Sequence, residues 1–478
     1  MSQAIPLLET VGAQIGATLV TTSGNEKARI GMTQPEFDLV FRAPQALYDG
    51  RLTALEVAVT DEQIAAIEPL GTGLRAAQVV EVSADQVLLP GLVDTHVHVN
   101  EPGRTAWEGF ETATKAAAAG GVTTLLDMPL NSVPSTVNVA ALDQKHAAAR
   151  GQLFIDTGFW GGAIPGNTND LKPLHEAGVF GFKCFLEHSG VDEFPHLEPE
   201  EMRTDMAEIA TFDGLMIIHA EDAHTLEQTR NNGVSGGPKY TDFLASRPRE
   251  AEKVAIRSII DGVRDTGVRA HILHLSDADS LELIAAAKAE GLPLTVETCP
   301  HYLTFLSEDI GDGQTAFKCA PPIREAENRD RLWQGLQDGT IDIIVSDHSP
   351  STLELKEHGD GNFDTAWGGI SSLQLGLSVI WTEASQRGID LAQVISWMAS
   401  TPAAIARVPS KGHLAVGYDA DLVVFDPQAT WTVDAGALQH RNPITPYDGR
   451  ELTGKVISTW LRGNQVDTTK AQGQFIRP

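Results

Sequence analysis

The centre of the chain alternates short apolar runs with segments of helical pattern, and this alternation limits the possible folds more than any other feature. Most of the runs are separated by Ala-, Glu- and Lys-bearing segments such as ETATKAAAAG and DSLELIAAAKAEG. A series of eight strand–helix units predicts an α/β fold, a (β/α)8 TIM-like barrel, over residues 91–411. The eight runs are GLVDTHVHV, GVTTLLDMP, LFIDTGFWGG, VFGFKCFLE, LMIIHAED, RAHILHLS, LTVETCPHY and DIIVSDHSP.

Both ends of the chain have a different, β-rich pattern. FDLVFRA, ALEVAVTDEQIAAIEP and VVEVSADQVLLP precede the barrel, and DADLVVFDP and KVISTWLRG follow it. Their alternating apolar residues indicate strands, so we expect residues 37–90 and 412–478 to form one small composite β-sandwich domain. Residues 1–36 are weakly patterned and are expected to be a partly disordered N-terminal extension.

Composition excludes several classes of partner. The 478 residues carry a net charge of −29, which would repel nucleic acid and anionic membranes, so we expect neither as a partner. The chain has three cysteines and no apolar run of the roughly 20 residues that a membrane span needs. Its N-terminus lacks the pattern of a secretory signal. A cytoplasmic protein is expected.

Polar residues gather at the C-terminal parts of the barrel runs. These ends converge on one mouth of a barrel, where active sites form. We therefore expect six side chains that are distant in sequence to meet there. They are His96, His98, Lys183, His219, His274 and Asp347.

The residue types at these positions favour a metal site. His96 and His98 lie two apart on a strand and therefore point to the same side. Any one of the histidines, taken singly, fits an ordinary hydrogen-bonded core residue better than a ligand, but their coincidence at one barrel end predicts metal binding. Nitrogen and oxygen ligands of this kind suit zinc, iron, cobalt or manganese.

Lys183 lies in an apolar run, VFGFKCFL. One reading is a lysine whose ammonium group reaches solvent. In the other, burial favours the neutral amine, which can add carbon dioxide to form a carbamate. A carbamate has two oxygens and could bridge two metal ions. The residues alone leave both readings open.

From Phe37 to the C-terminus, the chain resembles the cyclic amidohydrolases of the amidohydrolase superfamily, and among them most closely the allantoinase group. The resemblance extends over most of the chain and involves several specific motifs. They are PGLVDTHVHVNEPGRTAWEGFETATKAAAAGGVTT, DMPLNSVPST, GFKCFL, ETCPHYL, KCAPPIRE, SDHSP, AWGGI and TPYDGRELTGKVISTWLRG.

The resemblance implies a role for each position. His96 and His98 match the paired ligands of one metal ion, and His219 and His274 match those of the second. Lys183 matches a bridging N6-carboxylysine. Asp347 matches a catalytic aspartate that also binds metal.

The implied cofactors are two divalent ions per subunit, zinc first, together with the carbon dioxide-derived carbamate. The implied reaction, part of purine and ureide catabolism, opens the small-molecule substrate allantoin to allantoate with a metal-activated hydroxide. Asn131, Ala320 and Gly368 are the expected substrate contacts, although Gly368 could equally be a turn residue and Ala320 replaces the serine or asparagine of many relatives. Relatives are often tetramers, so a homo-oligomer, and specifically a homotetramer, is expected.

Related activities remain alternatives. Dihydroorotases carry an arginine where this chain has Asn100, and hydantoinases carry a tyrosine where it has His188, so both substitutions argue against those enzymes. A hydantoinase, dihydropyrimidinase or dihydroorotase is still the nearest rival, and a non-catalytic assembly protein is a more distant one. In the motif NEPGR, Glu101 and Arg104 are expected to form a salt bridge that shapes the mouth rather than a catalytic pair.

Overall fold

The N-terminal part of the described chain is a set of β-strands. The computed structural model describes residues 36–478, so the predicted N-terminal extension lies, apart from its last residue, outside the described residues. These strands coincide with the alternating runs before the barrel. They are β1 (Phe37–Tyr48), β2 (Arg51–Thr60), β3 (Gln63–Pro69), β4 (Ala76–Glu81) and β5 (Val87–Pro90).

The next strands are parallel and form the barrel. Two ladders, β6–β7–β8 and β9 through β14, contain the eight predicted runs, and Trp160 separates β8 from β9 within the third run. His98 N donates to His348 O at 2.8 Å, which joins the first run to the last. The strands are β6 (Leu92–Val97), β7 (Val122–Asp127), β8 (Asp156–Phe159), β9 (Gly161–Gly162), β10 (Phe182–Phe185), β11 (Leu215–His219), β12 (Arg269–Ile272), β13 (Leu294–Thr298) and β14 (Ile343–Ile344).

Nearly every residue of these strands is buried, because core side chains fill the inside and helices cover the outside. This burial on both faces explains the continuous apolar runs of the sequence. The helices follow the strands in alternation. They are α1 (Phe110–Ala119), α2 (Val139–Ala149), α3 (Thr168–Glu176), α4 (Pro199–Ala210), α5 (Ala223–Asn231), α6 (Tyr240–Ser246), α7 (Arg249–Thr266), α8 (Leu281–Ala289), α9 (Pro300–Thr304), α10 (Ala326–Gln337), α11 (Leu353–Lys356), α12 (Gly376–Gln386), α13 (Leu391–Ile395) and α14 (Thr401–Ala406).

The C-terminal strands return to the N-terminal ones. β15 (Leu422–Thr432), β16 (Glu451–Leu461) and β17 (Asn464–Gln465) join β5 in one eight-stranded sheet, of order β17-β16-β15-β5-β1-β2-β3 with β4 beside β1. One core cluster contains residues from both ends of the chain, including Phe41 and Trp460, whose rings meet edge to face at 5.0 Å. The sheet therefore encloses its own core, and the prediction of a β-sandwich beside a barrel is confirmed.

The C-terminal segment also contacts the barrel. Residues near the chain end pair with β8, where Thr157 N donates to Gln474 O at 2.9 Å. Asn442 Nδ2 donates to the carbonyl of Trp107, in the loop that follows β6, at 2.7 Å. The segment 412–478 thus contributes to the β-sandwich and also contacts the barrel. The boundaries of the two domains remain a prediction.

None of the helices within residues 36–478 is long and apolar enough to cross a membrane.

Candidate active site

A cavity of about 390 Å³ opens at the C-terminal ends of the barrel strands. The six side chains expected to meet at the mouth all line it. His274 lies two residues beyond the end of β12 and Asp347 three beyond the end of β14, so both follow their strands rather than end them. Both have positive φ, 35° and 43° respectively, a conformation that is unfavourable for residues with a side chain and typical of functional sites.

The first histidine pair lies beside the aspartate. Asp347 Oδ1 is 3.1 Å from His96 Nε2 and 3.6 Å from His98 Nε2. The three side chains are buried, and one potential ligand atom from each lies within 4.8 Å of the others. The two-residue spacing of His96 and His98 at the end of β6 therefore brings both imidazoles to the side of the strand that faces Asp347.

The second histidine pair is equally close. His219 Nδ1 lies 2.9 Å from His274 Nε2, and the ring centroids are 4.6 Å apart. The His274 ring is also 5.5 Å from the ring of His96. The two pairs therefore face one another in a single site.

Two buried carboxylates orient these histidines from outside the cavity, and the sequence interpretation missed both. Glu297 Oε1 lies 2.5 Å from His96 Nδ1, and Glu221 Oε2 lies 2.8 Å from His219 Nε2. Arg247 in turn holds Glu221 through two bonds of 2.9 and 2.6 Å. Each carboxylate accepts from one ring nitrogen and so turns the other, His96 Nε2 or His219 Nδ1, toward the cluster of candidate ligands, the usual arrangement around metal-binding histidines.

The electrostatics of the histidines differ. Burial lowers the pKa of His98 and of His274 well below the ordinary value and also lowers the pKa of His219, so these rings are neutral near pH 7. The pKa of His96 is raised to about 9, because the carboxylates of Asp347 and Glu297 outweigh the opposing effect of burial. Binding a cation at His96 therefore requires the release of a proton.

Lys183 is buried at the same site. Its ammonium lies 4.6 Å from the centroid of the Phe185 ring, and burial lowers its pKa to about 8. A lysine with this pKa is about one-tenth neutral at pH 7, far more than an exposed lysine. The reading in which its head group reaches solvent is therefore wrong.

The donor set fits divalent metal ions. His96 Nε2, the ring nitrogen that faces Asp347, is buried without a good hydrogen bond among the described residues, which would be costly if nothing satisfied it. Imidazole nitrogens and a carboxylate are the ligands that zinc and similar ions take in proteins. A second group, Cys299 and His301 with Asp347, is less suitable because burial raises the thiol pKa well above its ordinary value and the thiol stays protonated.

The expected substrate contacts also line the cavity. Asn131, Ala320 and Gly368 all border it, as does His188. Asn131 has a φ of 63°, a conformation that asparagine tolerates better than most residues. Asn100 is buried instead, and its Nδ2 donates to Pro350 O at 3.4 Å.

The expected salt bridge between Glu101 and Arg104 is wrong. Arg104 pairs with Glu193 and donates to the carbonyl of Asn131 at 2.8 Å. Glu101 Oε2 accepts from Phe110 N at 2.9 Å, at the start of α1. The guanidinium thus pairs with a residue 89 positions away, which adjacency in sequence did not predict.

The barrel, with its histidine-rich cavity at the C-terminal mouth, has the architecture of the metal-dependent barrel hydrolases. The model of the amidohydrolase family matches residues 87–466, and the chain belongs to this family.

Within the family, the chain is similar to proteins named allantoinase. It is 54% identical to the allantoinase of Streptomyces avermitilis over 443 residues, which cover 93% of this chain and 98% of that protein. It is 46% identical to the allantoinase of Saccharomyces cerevisiae over 392 residues, 81% of this chain and 84% of that one. Among solved structures, an L-hydantoinase (dihydropyrimidinase) from Arthrobacter aurescens matches with a TM-score of 0.88 at 30% identity, and covers 92% of this chain and 100% of that one.

Proposed function

We propose that this protein hydrolyses the cyclic amide of allantoin to give allantoate, as a metal-dependent enzyme of purine and ureide catabolism. The observation that carries the proposal is the convergence of four histidines, a buried lysine and an aspartate on one cavity at the barrel mouth. The 54% identity to a protein named allantoinase supports the choice of substrate.

Two divalent ions would occupy the site. His96 and His98 would hold one, and His219 and His274 the other. When bound, such ions supply a water of lowered pKa and polarise the carbonyl under attack. We propose zinc, with iron, cobalt and manganese as alternatives that the same ligands would accept.

Lys183 would contribute as N6-carboxylysine. Its neutral amine attacks the carbon of carbon dioxide and releases one proton, which leaves a carbamate anion with two ligand oxygens. The lowered pKa of Lys183, about 8, favours the neutral amine that this addition needs.

Asp347 would move the protons of the reaction. Although burial alone would raise the pKa of Asp347, the protonated His96 beside it holds that pKa well below the ordinary value, so Asp347 is ionised and able to accept a proton. It would take a proton from the attacking water and donate one to the ring nitrogen as the amide C–N bond breaks. The ring carbon becomes the carboxylate of allantoate.

Substrate would lie against Asn131 and the main chain at Ala320 and Gly368, which border the same cavity. An additional Cβ at Gly368 would meet nothing within 4 Å. The main chain there is therefore open to the cavity, and a planar ring amide could approach it closely.

A hydantoinase activity is the second candidate, because an L-hydantoinase structure superposes with a TM-score of 0.88. Dihydroorotate hydrolysis is less favoured, since Asn100 is neutral, buried and already bonded to Pro350. Measuring kcat/KM for allantoin, hydantoin and dihydroorotate on one metal-loaded preparation tests the proposal. A higher value for hydantoin or dihydroorotate than for allantoin would overturn it.

We also propose a cytoplasmic location and a homotetramer. Cys184, Cys299 and Cys319 are free and buried, as expected of a protein from a reducing compartment. The tetramer rests on family resemblance, and sedimentation of the purified protein tests it. A monomer at micromolar concentration would contradict it.

A further inference from the structure

Two lysines at one wall of the cavity are absent from the mechanism above: Lys318 belongs to the wall, and Lys356 lies behind it. The wall consists of residues 318–320 and 364–369, which include the proposed substrate contacts Ala320 and Gly368. Lys356, at the end of α11, is buried, and Lys318 is half-buried.

Their ammonium groups join the two wall segments through main-chain carbonyls. Lys318 Nζ donates to Asp364 O at 3.2 Å and to Ala366 O at 2.5 Å. Lys356 Nζ donates to Lys318 O at 3.1 Å and to Trp367 O at 2.9 Å. Together, the four bonds tie residues 364–367 to the segment that leads into Ala320.

Main-chain bonds continue the same connection. Gly369 N donates to Lys318 O at 2.8 Å, beside the bond from Lys356. At Gly369, φ is 115°, and an added Cβ would lie 2.2 Å from Ser349 O, so the backbone has little freedom there. The wall is therefore fixed from both ends, with the open main chain of Gly368 between.

The charge of the two lysines is uncompensated, which is unusual for buried lysines. Among the described residues neither makes an ion pair with a carboxylate, and burial lowers the pKa of Lys318 to about 8 and that of Lys356 to about 7. By contrast, the buried Lys411 lies 2.6 Å from Asp156 and 2.8 Å from Asp421. An ammonium group buried without a counter-charge costs folding stability, so stability does not account for the pair.

We infer that Lys318 and Lys356 are positioning residues that hold the main chain of this wall in the geometry that binds the ring amide of the substrate. At Ala320 and Gly368 the wall offers main-chain groups rather than polar side chains, and such groups match an amide ring only if the backbone is fixed. The inference rests on the proposed function for the identity of the ring.

The test uses metal-loaded Lys318→Met and Lys356→Met variants. If the wall binds the substrate and the transition state equally well, disordering it raises KM and leaves kcat nearly unchanged. We therefore expect KM for allantoin to rise about tenfold or more in each variant. Metal content should equal that of the wild type, and the melting temperature should be unchanged or higher. KM values that stay at the wild-type level in both variants would overturn the inference, as would a Lys356→Met chain that fails to fold.

Lys411→Met is the matched control. It removes a buried lysine that has carboxylate partners and does not border the cavity, so it should lower the melting temperature and leave KM unchanged in the folded protein. If KM rose equally in Lys411→Met, loss of any buried lysine would have the same effect. That result would contradict the positioning role of Lys318 and Lys356.

Amide hydrogen exchange tests the positioning role of Lys318 and Lys356 without measuring enzyme activity. In Lys356→Met, exchange of the Trp367 and Gly369 amides should accelerate about tenfold or more relative to the wild type, because the segment opens more often. Unchanged exchange in both variants would refute the positioning role. If the wild type hydrolyses no cyclic amide, the proposed function fails, but this measurement still decides whether the lysines fix the wall.

Discussion

Replacing Glu297 with glutamine should weaken metal binding, although Glu297 is not among the proposed ligands. Its carboxylate lies 2.5 Å from His96 Nδ1, and it also accepts from His274 N at 3.1 Å and lies 3.0 Å from His271 Nε2. Burial would raise the pKa of Glu297, but His96 and His271 hold it below its ordinary value, so the carboxylate is charged. The substitution removes that charge and keeps the volume.

The magnitude follows from these contacts. Glutamine has one oxygen for three donors, so its amide nitrogen must face either His271 or the pair formed by His96 and the His274 backbone. Loss of such a carboxylate partner typically weakens metal binding about 10–100-fold. This corresponds to about 1.4–2.7 kcal/mol of metal-binding free energy.

The assay is competition between the protein and a chelator, read as bound metal per chain. Glu252→Gln is the matched control, because Glu252 is also buried and accepts from Ser276 N at 3.0 Å and Arg324 Nη2 at 2.9 Å, but contacts none of the four proposed histidine ligands. Glu252→Gln should bind metal as the wild type does. A Glu297→Gln protein with wild-type metal affinity would refute the role of the carboxylate in orienting His96.

Three further outcomes are expected. Asp347→Asn should lower kcat about 10²–10⁴-fold in a chain that still folds, and wild-type turnover would refute its proton-transfer role. Lys183→Ala should lose most activity and bound metal, and elemental analysis showing full metal content with normal turnover would exclude a bridging role. The pKa of Lys356 is lowered to about 7 from an ordinary 10.5, so between these pH values the unfolded chain binds the proton more tightly than the folded one. The free energy of unfolding of the wild type, measured against Lys356→Met, should therefore increase as pH rises through this window, by at most about 1.4 kcal/mol per pH unit, and a flat difference would contradict that shift.

The barrel and its ligand candidates could be predicted because the signals are local. A parallel strand buried on both faces appears in the sequence as a continuous apolar run, and a polar residue at its C-terminal end, such as His219, stands out against it. Since all strand ends of a barrel meet at one mouth, the convergence of Lys183 and Asp347 followed from the topology alone.

What was missed depends on partners that are distant in sequence. Arg104 bonds to Glu193 rather than to the nearby Glu101, and Glu297 reaches His96 across 201 positions. Neither pairing leaves a periodic pattern in the chain. Of the missed residues, Glu221 was the easiest to predict from the sequence. It lies two positions after His219, and a carboxylate near a proposed ligand is a natural partner for the second ring nitrogen of that histidine.

The two wall lysines were missed for a different reason. Lys318 and Lys356 bond to main-chain carbonyls, and every residue has such a carbonyl, so no residue type marks the partner. Their role became apparent only from the positions of the two wall segments in the fold.

The most direct test of the account is allantoin hydrolysis measured together with metal content on one purified sample. We expect about two metal equivalents per chain, turnover of allantoin to allantoate that falls on chelation, and recovery when the metal is restored. Metal-loaded protein that leaves allantoin intact, or turnover that survives complete removal of the metal, would contradict the account.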